Sequence, residues 1–252
     1  MIIVTGGAGF IGSRLVRSLV GDGHEVVVVD DATGEGPGGT LHGVDVEDHV
    51  GQEAFRAALA RPNALRGVDV VLHQGACSDT TEADETFLWD NNVRYSVSVL
   101  DACQRDRVPL VYASSAAVHG RGVGGEDPLN GYARSKAAVD AVVRERTPGR
   151  RAPIVGLRYF NVYGPGERHK GPMASMVLQV DDQIRSSGVA RLFGAGEGAE
   201  AGQHRRGSPG GSSCPSTMWW RWSGGSPRDP TAAASSTAGP GRAARSRTWR
   251  AP

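Results

Sequence analysis

Eight residues near the N-terminus, Thr5-Gly6-Gly7-Ala8-Gly9-Phe10-Ile11-Gly12, constrain the fold of this chain more than any other stretch. They follow the apolar run Ile2-Ile3-Val4 and lead directly into a helical pattern over residues 13–20. In a strand–turn–helix of this spacing, Gly6 and Gly9 let the backbone turn tightly and approach a pyrophosphate. Gly12 lets the helix pack closely on the strand. The free N–H groups at the start of the helix then face negative charge. An acid, Asp30, ends the next apolar run 18 residues after Gly12, placed for a ribose hydroxyl. These features together predict a dinucleotide site. Asp30 and Asp31 favour NAD over NADP, because a 2′-phosphate beside two carboxylates is repelled and no Lys or Arg follows nearby.

Short Val-rich runs recur at 2–5, 25–30, 68–73, 109–114 and 154–160, and helical patterns lie at 13–20, 86–105 and 132–146. Nearly continuous apolar strands alternating with helices imply a parallel sheet buried on both faces. The expected fold class is α/β, a Rossmann-like doubly wound parallel sheet with a truncated C-terminal substrate lobe. Residues 1–165 form the dinucleotide-binding domain and 166–206 a partial substrate lobe with a helix over 173–186.

Residues 207–252 break the pattern. They contain no Val, Leu, Ile, Phe, Tyr, Lys or Glu, but hold nine Ser, seven Gly, seven Ala, six Pro, six Arg and four of the five Trp. Such a composition buries too little to offset ordering entropy, which predicts a disordered tail. The codons suggest its origin. Met218-Trp219-Trp220 is necessarily ATG-TGG-TGG, which two bases later reads Val-Val, followed by Ala or Glu through Arg221. The tail is therefore expected to be an out-of-frame reading that begins near residue 206. With part of the substrate lobe displaced, weak turnover and poor solubility are expected.

The tail also skews the charge. Of the overall +1, residues 207–252 carry +5, leaving the first 206 residues at −4 with no basic stripe. Nucleic acid is therefore not an expected partner. No apolar run approaches the roughly 18 residues of a membrane span, so no membrane association is expected. Met1-Ile2-Ile3-Val4 runs straight into the glycine turn without a targeting segment, so a cytoplasmic location is expected. Cys77, Cys103 and Cys214 form no CxxC pair, and no metal site is expected.

Only two of the 28 basic residues are lysine, Lys136 and Lys170. A guanidinium cannot lose a proton, so lysines retained in so Arg-rich a chain point to places where a titratable amine is needed. Tyr132 stands four residues before Lys136 on one helix face. A phenol is a poor base at neutral pH, and a neighbouring ammonium together with a positive nicotinamide ring favours the phenolate. Ser114 and Ser115 end a strand, where open α/β sheets place their ligand crevice. Either hydroxyl is suited to hold a substrate oxygen that gains or loses a proton.

Longer motifs add specificity. They are His73-Gln74-Gly75-Ala76-Cys77-Ser78 with Thr80-Thr81-Glu82, then Asp90-Asn91-Asn92 and Tyr112-Ala113-Ser114-Ser115-Ala116-Ala117. Further on come Arg158-Tyr159-Phe160-Asn161-Val162-Tyr163-Gly164-Pro165 and His169-Lys170-Gly171-Pro172-Met173-Ala174-Ser175. Over residues 1–206 the chain resembles the extended short-chain dehydrogenase/reductase family, and within it the branch that epimerises ADP-heptoses. That resemblance implies an isomerase inverting C6 of ADP-glycero-manno-heptose, or of a related nucleotide sugar, through transient oxidation to a ketone and re-reduction. It implies bound NADP, with NAD as the alternative, and a homo-oligomer at full length. Tyr132 and Lys170 become the two acid/base groups, Ser115 supports the substrate oxygen, and Lys136 grips the nicotinamide ribose. The dinucleotide is lined by Gly6, Gly9, Phe10, Ile11, Gly12, Asp30, Asp31, Gln74, Gly75, Ala76, Cys77, Ser78, Asn91 and Val162. Asn161, Pro172, Gln179, Phe193, Gly194, Ala195, Gly196 and Arg206 occupy substrate positions. The chain departs from that pattern in having Leu41 near the point where the family places a lysine suited to NADP.

Overall fold

A computed structural model describes residues 1–34, 39–120, 125–191 and 203–205. Its centre is a six-stranded sheet of β1 (Ile2–Thr5), β2 (Val26–Val29), β3 (Asp48–Val50), β4 (Val70–His73), β5 (Leu110–Ser115) and β6 (Ile154–Tyr159). The strand order is β3-β2-β1-β4-β5-β6, and every pairing is parallel. The order reverses between β1 and β4, which opens a crevice at their carboxyl ends. The glycine turn leaves β1 at that point and enters α1 (Phe10–Gly21).

Alternation of side chains along the strands explains why the sheet is covered on both faces. Ile2, Val4, Val26 and Val28 pack with Val16 of α1 and with Leu41. Ile3, Val27, Val29, Val71 and Leu110 point the other way, into a cluster closed by Phe55, Leu59, Tyr95, Val99, Leu100 and Val139. Val26 to Val29 are each no more than 1% exposed. At about 1.5–3 kcal/mol per buried aliphatic side chain, these strands anchor the domain.

Four local outcomes differ from the sequence expectation. The short edge strand β3 and the helix α2 (Gln52–Leu59) were not foreseen. Asp48-His49-Val50 has one apolar residue in three, and α2 buries only Phe55, Ala58 and Leu59. The stretch expected as one helix over 86–105 is α3 (Glu85–Leu88), a six-residue π turn (Trp89–Arg94) and α4 (Tyr95–Asp106). The first helix starts at Phe10, with Gly9 in extended conformation as its N-cap, so the helix N-terminus lies directly on the glycine turn.

Beyond α5 (Gly131–Arg146) and β6, residues Glu167–Met173 form a 3₁₀ segment that leads to α6 (Met176–Ser187). Strands β7 (Val189–Arg191) and β8 (Gln203–Arg205) make an antiparallel pair. No residue of α6 is buried. Among the described residues β6 is the last strand of the sheet, and its Val155 and Leu157 are 46% and 38% exposed. No helix among the described residues is long and apolar enough to cross a membrane.

Candidate active site

The glycine turn is built to bring backbone close to backbone. Gly6 has φ +64, where side chains are strained, and a Cβ there would lie 2.6 Å from the Gly75 nitrogen. A Cβ on Gly12 would collide with the Gly6 carbonyl oxygen. The turn can close this tightly against β4's exit and α1's start only because both positions lack side chains. Asp30 at the end of β2 braces it: Oδ2 accepts the Ala8 N–H at 3.0 Å and Oδ1 the Ala32 N–H at 3.1 Å. Asp31 accepts the Gln52 N–H at 2.8 Å and so holds the start of α2. Leu41 is 2% exposed in the apolar cluster under α1, so it presents no polar group to a ligand.

The segment after β4 carries the next set of predicted residues. Gln74 donates from its backbone to the Thr5 carbonyl at 3.0 Å, while its buried side-chain Oε1 has no partner. Cys77 is clamped by Asn92, which is fully buried in the π turn. Asn92 Oδ1 accepts the Cys77 N–H at 2.8 Å and its Nδ2 donates to the Cys77 carbonyl at 3.0 Å. The same Nδ2 donates to Ser135 Oγ at 3.0 Å, and Ser135 in turn donates to the Tyr132 carbonyl. Asn91 Oδ1 accepts from Gln52 Nε2 at 2.9 Å. The sequence reading named Asn91 and passed over the role of Asn92, whose partners are distant along the chain.

Tyr132 sits in the first turn of α5, which Asn130 caps by accepting the Ala133 N–H at 2.8 Å. Lys136, one turn on, is 5% exposed; its Nζ donates to the Ala113 carbonyl at 2.9 Å and lies 5.9 Å from the Tyr132 ring centroid. Burial pulls this ammonium down to about 8, with Asp140 acting against it. Burial also raises the Tyr132 phenol above its ordinary range, and the Ser115 hydroxyl pulls the other way. In the protein alone desolvation is the largest influence on the phenol and Lys136 is not among its causes, so the expected depression would have to come with the nicotinamide ring in place.

The two strand-end serines separate by function, as neighbours on a strand must. Ser115 neighbours Tyr132, and its Oγ accepts the Ala117 N–H at 3.1 Å. Ser114 points to the opposite face and donates to Asp140 Oδ2 at 3.0 Å. Asp140 is 4% exposed and also receives the Tyr112 hydroxyl at 2.9 Å and Arg158 Nε at 3.0 Å. It locks α5 to β5 and β6, a role that nothing in its local sequence signals.

Lys170 lies in the 3₁₀ segment, and its Nζ is 5.7 Å from the centroid of the Phe10 ring at the mouth of the glycine turn. Buried Glu167 shapes this segment by accepting the Gly164 N–H at 2.9 Å and the Ser175 N–H at 2.7 Å. Gln179 uses its Nε2 on the carbonyls of Pro172 and Ala174, at 3.0 and 2.9 Å. Asn161, Val162 and Pro172 are exposed. Phe193, Gly194, Ala195, Gly196 and Arg206, together with the tail from 207, lie outside the described residues.

The family described as "NAD dependent epimerase/dehydratase family" matches residues 2–204. A protein of Alkalilimnicola ehrlichii named ADP-L-glycero-D-manno-heptose-6-epimerase is 43% identical over 227 residues, covering 87% of this chain and 71% of that one. The structure is similar to Helicobacter pylori ADP-L-glycero-D-manno-heptose-6-epimerase, with 32% identity, a TM-score of 0.61, and coverage of 73% of this chain and 63% of that one. It is also similar to UDP-glucuronic acid 4-epimerase from Bacillus cereus, solved with NAD, at 26% identity, a TM-score of 0.63, and coverage of 77% and 66%. The chain thus spans a little under two thirds of these two solved relatives.

Proposed function

The chain belongs to the NAD-dependent epimerase/dehydratase family, and from that premise we propose that it is a nucleotide-sugar epimerase that inverts C6 of an ADP-heptose. The observation that carries the reading is the grouping of Ser115, Tyr132 and Lys136 at the end of β5, in a sheet whose first strand runs through a glycine turn into the N-terminus of α1.

The residues present fit a nicotinamide dinucleotide. The turn packs backbone on backbone so closely that neither Gly6 nor Gly12 can carry a side chain, and the α1 N-terminus supplies free N–H groups beside it. Gln74 Oε1 adds a buried acceptor in need of a donor. When bound, such a cofactor accepts a hydride from the sugar carbon and returns it, so there is no net oxidation. The protein's part is proton traffic and orientation. Tyr132 takes the hydroxyl proton on one side as the ketone forms, and Ser115 holds that oxygen. Lys170, approaching from the 3₁₀ segment, serves the other face of the carbonyl. Lys136 holds the cofactor ribose, and Gln179 and Asn161 face the sugar nucleotide.

The resemblance implies NADP, whereas the end of β2 carries two carboxylates, Asp30 and Asp31, Leu41 is buried and apolar, and the nearby Arg17 guanidinium is engaged by the Thr40 and His42 carbonyls. We therefore assign NAD as the preferred cofactor and NADP as the outcome that would correct this.

The deciding experiment incubates the purified chain with ADP-heptose deuterated at C6. Interconversion of the C6 epimers with deuterium retained at C6 supports the reading. Loss of deuterium to solvent excludes a returned hydride. Binding of dinucleotide without isomerisation of ADP-, GDP- or UDP-sugars favours a non-catalytic dinucleotide-binding protein.

A further inference from the structure

His73 is 3% exposed at the end of β4, opposite Thr5 of β1 in the parallel register, so both side chains stand on one face of the sheet. Its Nδ1 lies 2.6 Å from Thr5 Oγ1 and its Nε2 lies 2.9 Å from Ser96 Oγ. Ser96 Oγ is 2.5 Å from the Asn92 carbonyl, and Thr5 Oγ1 is 3.1 Å from the Gly75 nitrogen. A backbone N–H only donates, a carbonyl only accepts, and each hydroxyl has a single proton and two lone pairs. Ser96 therefore donates to Asn92 and accepts from His73 Nε2–H. Thr5 Oγ1 accepts from Gly75 N–H, and burial, which pulls His73 down to about 3, leaves the imidazole neutral, so that Nδ1 accepts the Thr5 proton.

Gly75 is the residue on which Gly6 rests, since a Cβ at Gly6 would lie 2.6 Å from its nitrogen. The other end of the relay is the carbonyl of Asn92, whose side chain clamps Cys77. We propose that His73, as the Nε2–H tautomer acting through the Thr5 hydroxyl, is a positioning residue that seats the Gly75 peptide beneath the glycine turn and so sets the shape of the dinucleotide cradle. This rests on the dinucleotide reading above, but the relay itself is measurable without a cofactor.

Two measurements on the full chain test it. In protein labelled with ¹⁵N-histidine at pH 7, His73 is expected as the Nε2–H tautomer, and an Nδ1–H or charged imidazole overturns the relay. Thr5→Val, which removes the hydroxyl at constant shape, is expected to raise the NADH dissociation constant about tenfold. Thr5→Ser, which keeps the hydroxyl, is expected to stay within about twofold of the parent. Equal affinities for the parent and Thr5→Val, or equal losses in both variants, overturn the positioning role. Should Thr5→Val fail to fold, the Thr5→Ser affinity and the tautomer still decide. A parent chain that shows the Nε2–H tautomer but binds no NADH defeats the dinucleotide reading, and with it the positioning role, while leaving the relay established.

Discussion

The Lys136 ammonium reaches under the Tyr132 ring to the carbonyl of Ala113, 2.9 Å away, and so ties the first turns of α5 to the end of β5. One interaction fixes the height of Tyr132 above the crevice and buries the cation that neighbours it. The two residues consequently divide the work: the phenol is placed to exchange a proton, while the amine spends one of its three donors on the scaffold and keeps the others for the ribose.

Replacing Tyr132 by Phe is expected to lower kcat by about 10²–10⁴-fold while leaving dinucleotide affinity unchanged, because general acid–base catalysis is lost and the hydroxyl's partner is Ser115 of the same site. Steady-state turnover and NADH titration check this together. A Phe variant that turns over at the parent rate removes Tyr132 from the mechanism.

Stability is expected to fall as pH drops from 6.5. His73 stays neutral in the folded protein down to about 3, whereas the unfolded chain takes up that proton near 6.5. The unfolded state thus binds more protons throughout the window from 6.5 to 3, so the stability His73 permits is fully present above 6.5 and is lost through that window. Between pH 6.5 and 5 the loss is about 2 kcal/mol. Urea unfolding at several pH values measures the slope, and an unchanged slope in His73→Asn contradicts the assignment.

NAD is expected to bind more tightly than NADP, and Asp31→Ser to narrow the difference by removing one carboxylate. Calorimetric titration of both dinucleotides reads it directly; tighter NADP binding by the parent reverses the assignment.

At the gene, the frame two bases out of register is expected to stay open from codon 206 through the codons of Met218-Trp219-Trp220. Resequencing is the check. If that frame is interrupted before residue 218, the tail is not an out-of-frame reading.

Most of the sheet was legible because Val26 to Val29 and their neighbours are apolar on both faces and need no partner to be recognised. β3 was not, since Asp48-His49-Val50 becomes a strand only by pairing with β2. The site divides in the same way. Gly6, Gly12, Tyr132 and Lys136 carry their meaning in local spacing. Asn92, Asp140 and the Thr5–His73 pair acquire theirs from partners between 15 and 68 residues away, which no window of sequence displays. Ser114 and Ser115 show the limit most plainly: identical neighbours, yet pleating sends one to Asp140 and the other to Tyr132.

The outer rim of β6 has a consequence for handling the protein. Its Val155 and Leu157 are exposed on a strand whose outer side pairs with no other described strand, whereas the opposite margin of the sheet, β3, is only three residues long and carries Asp48 and His49. One margin is adhesive and the other is not. Self-association is therefore expected to stop when two such rims zip together, giving discrete pairs rather than fibres. Sedimentation at rising concentration shows which, and a lysine at Leu157 should keep the particles single.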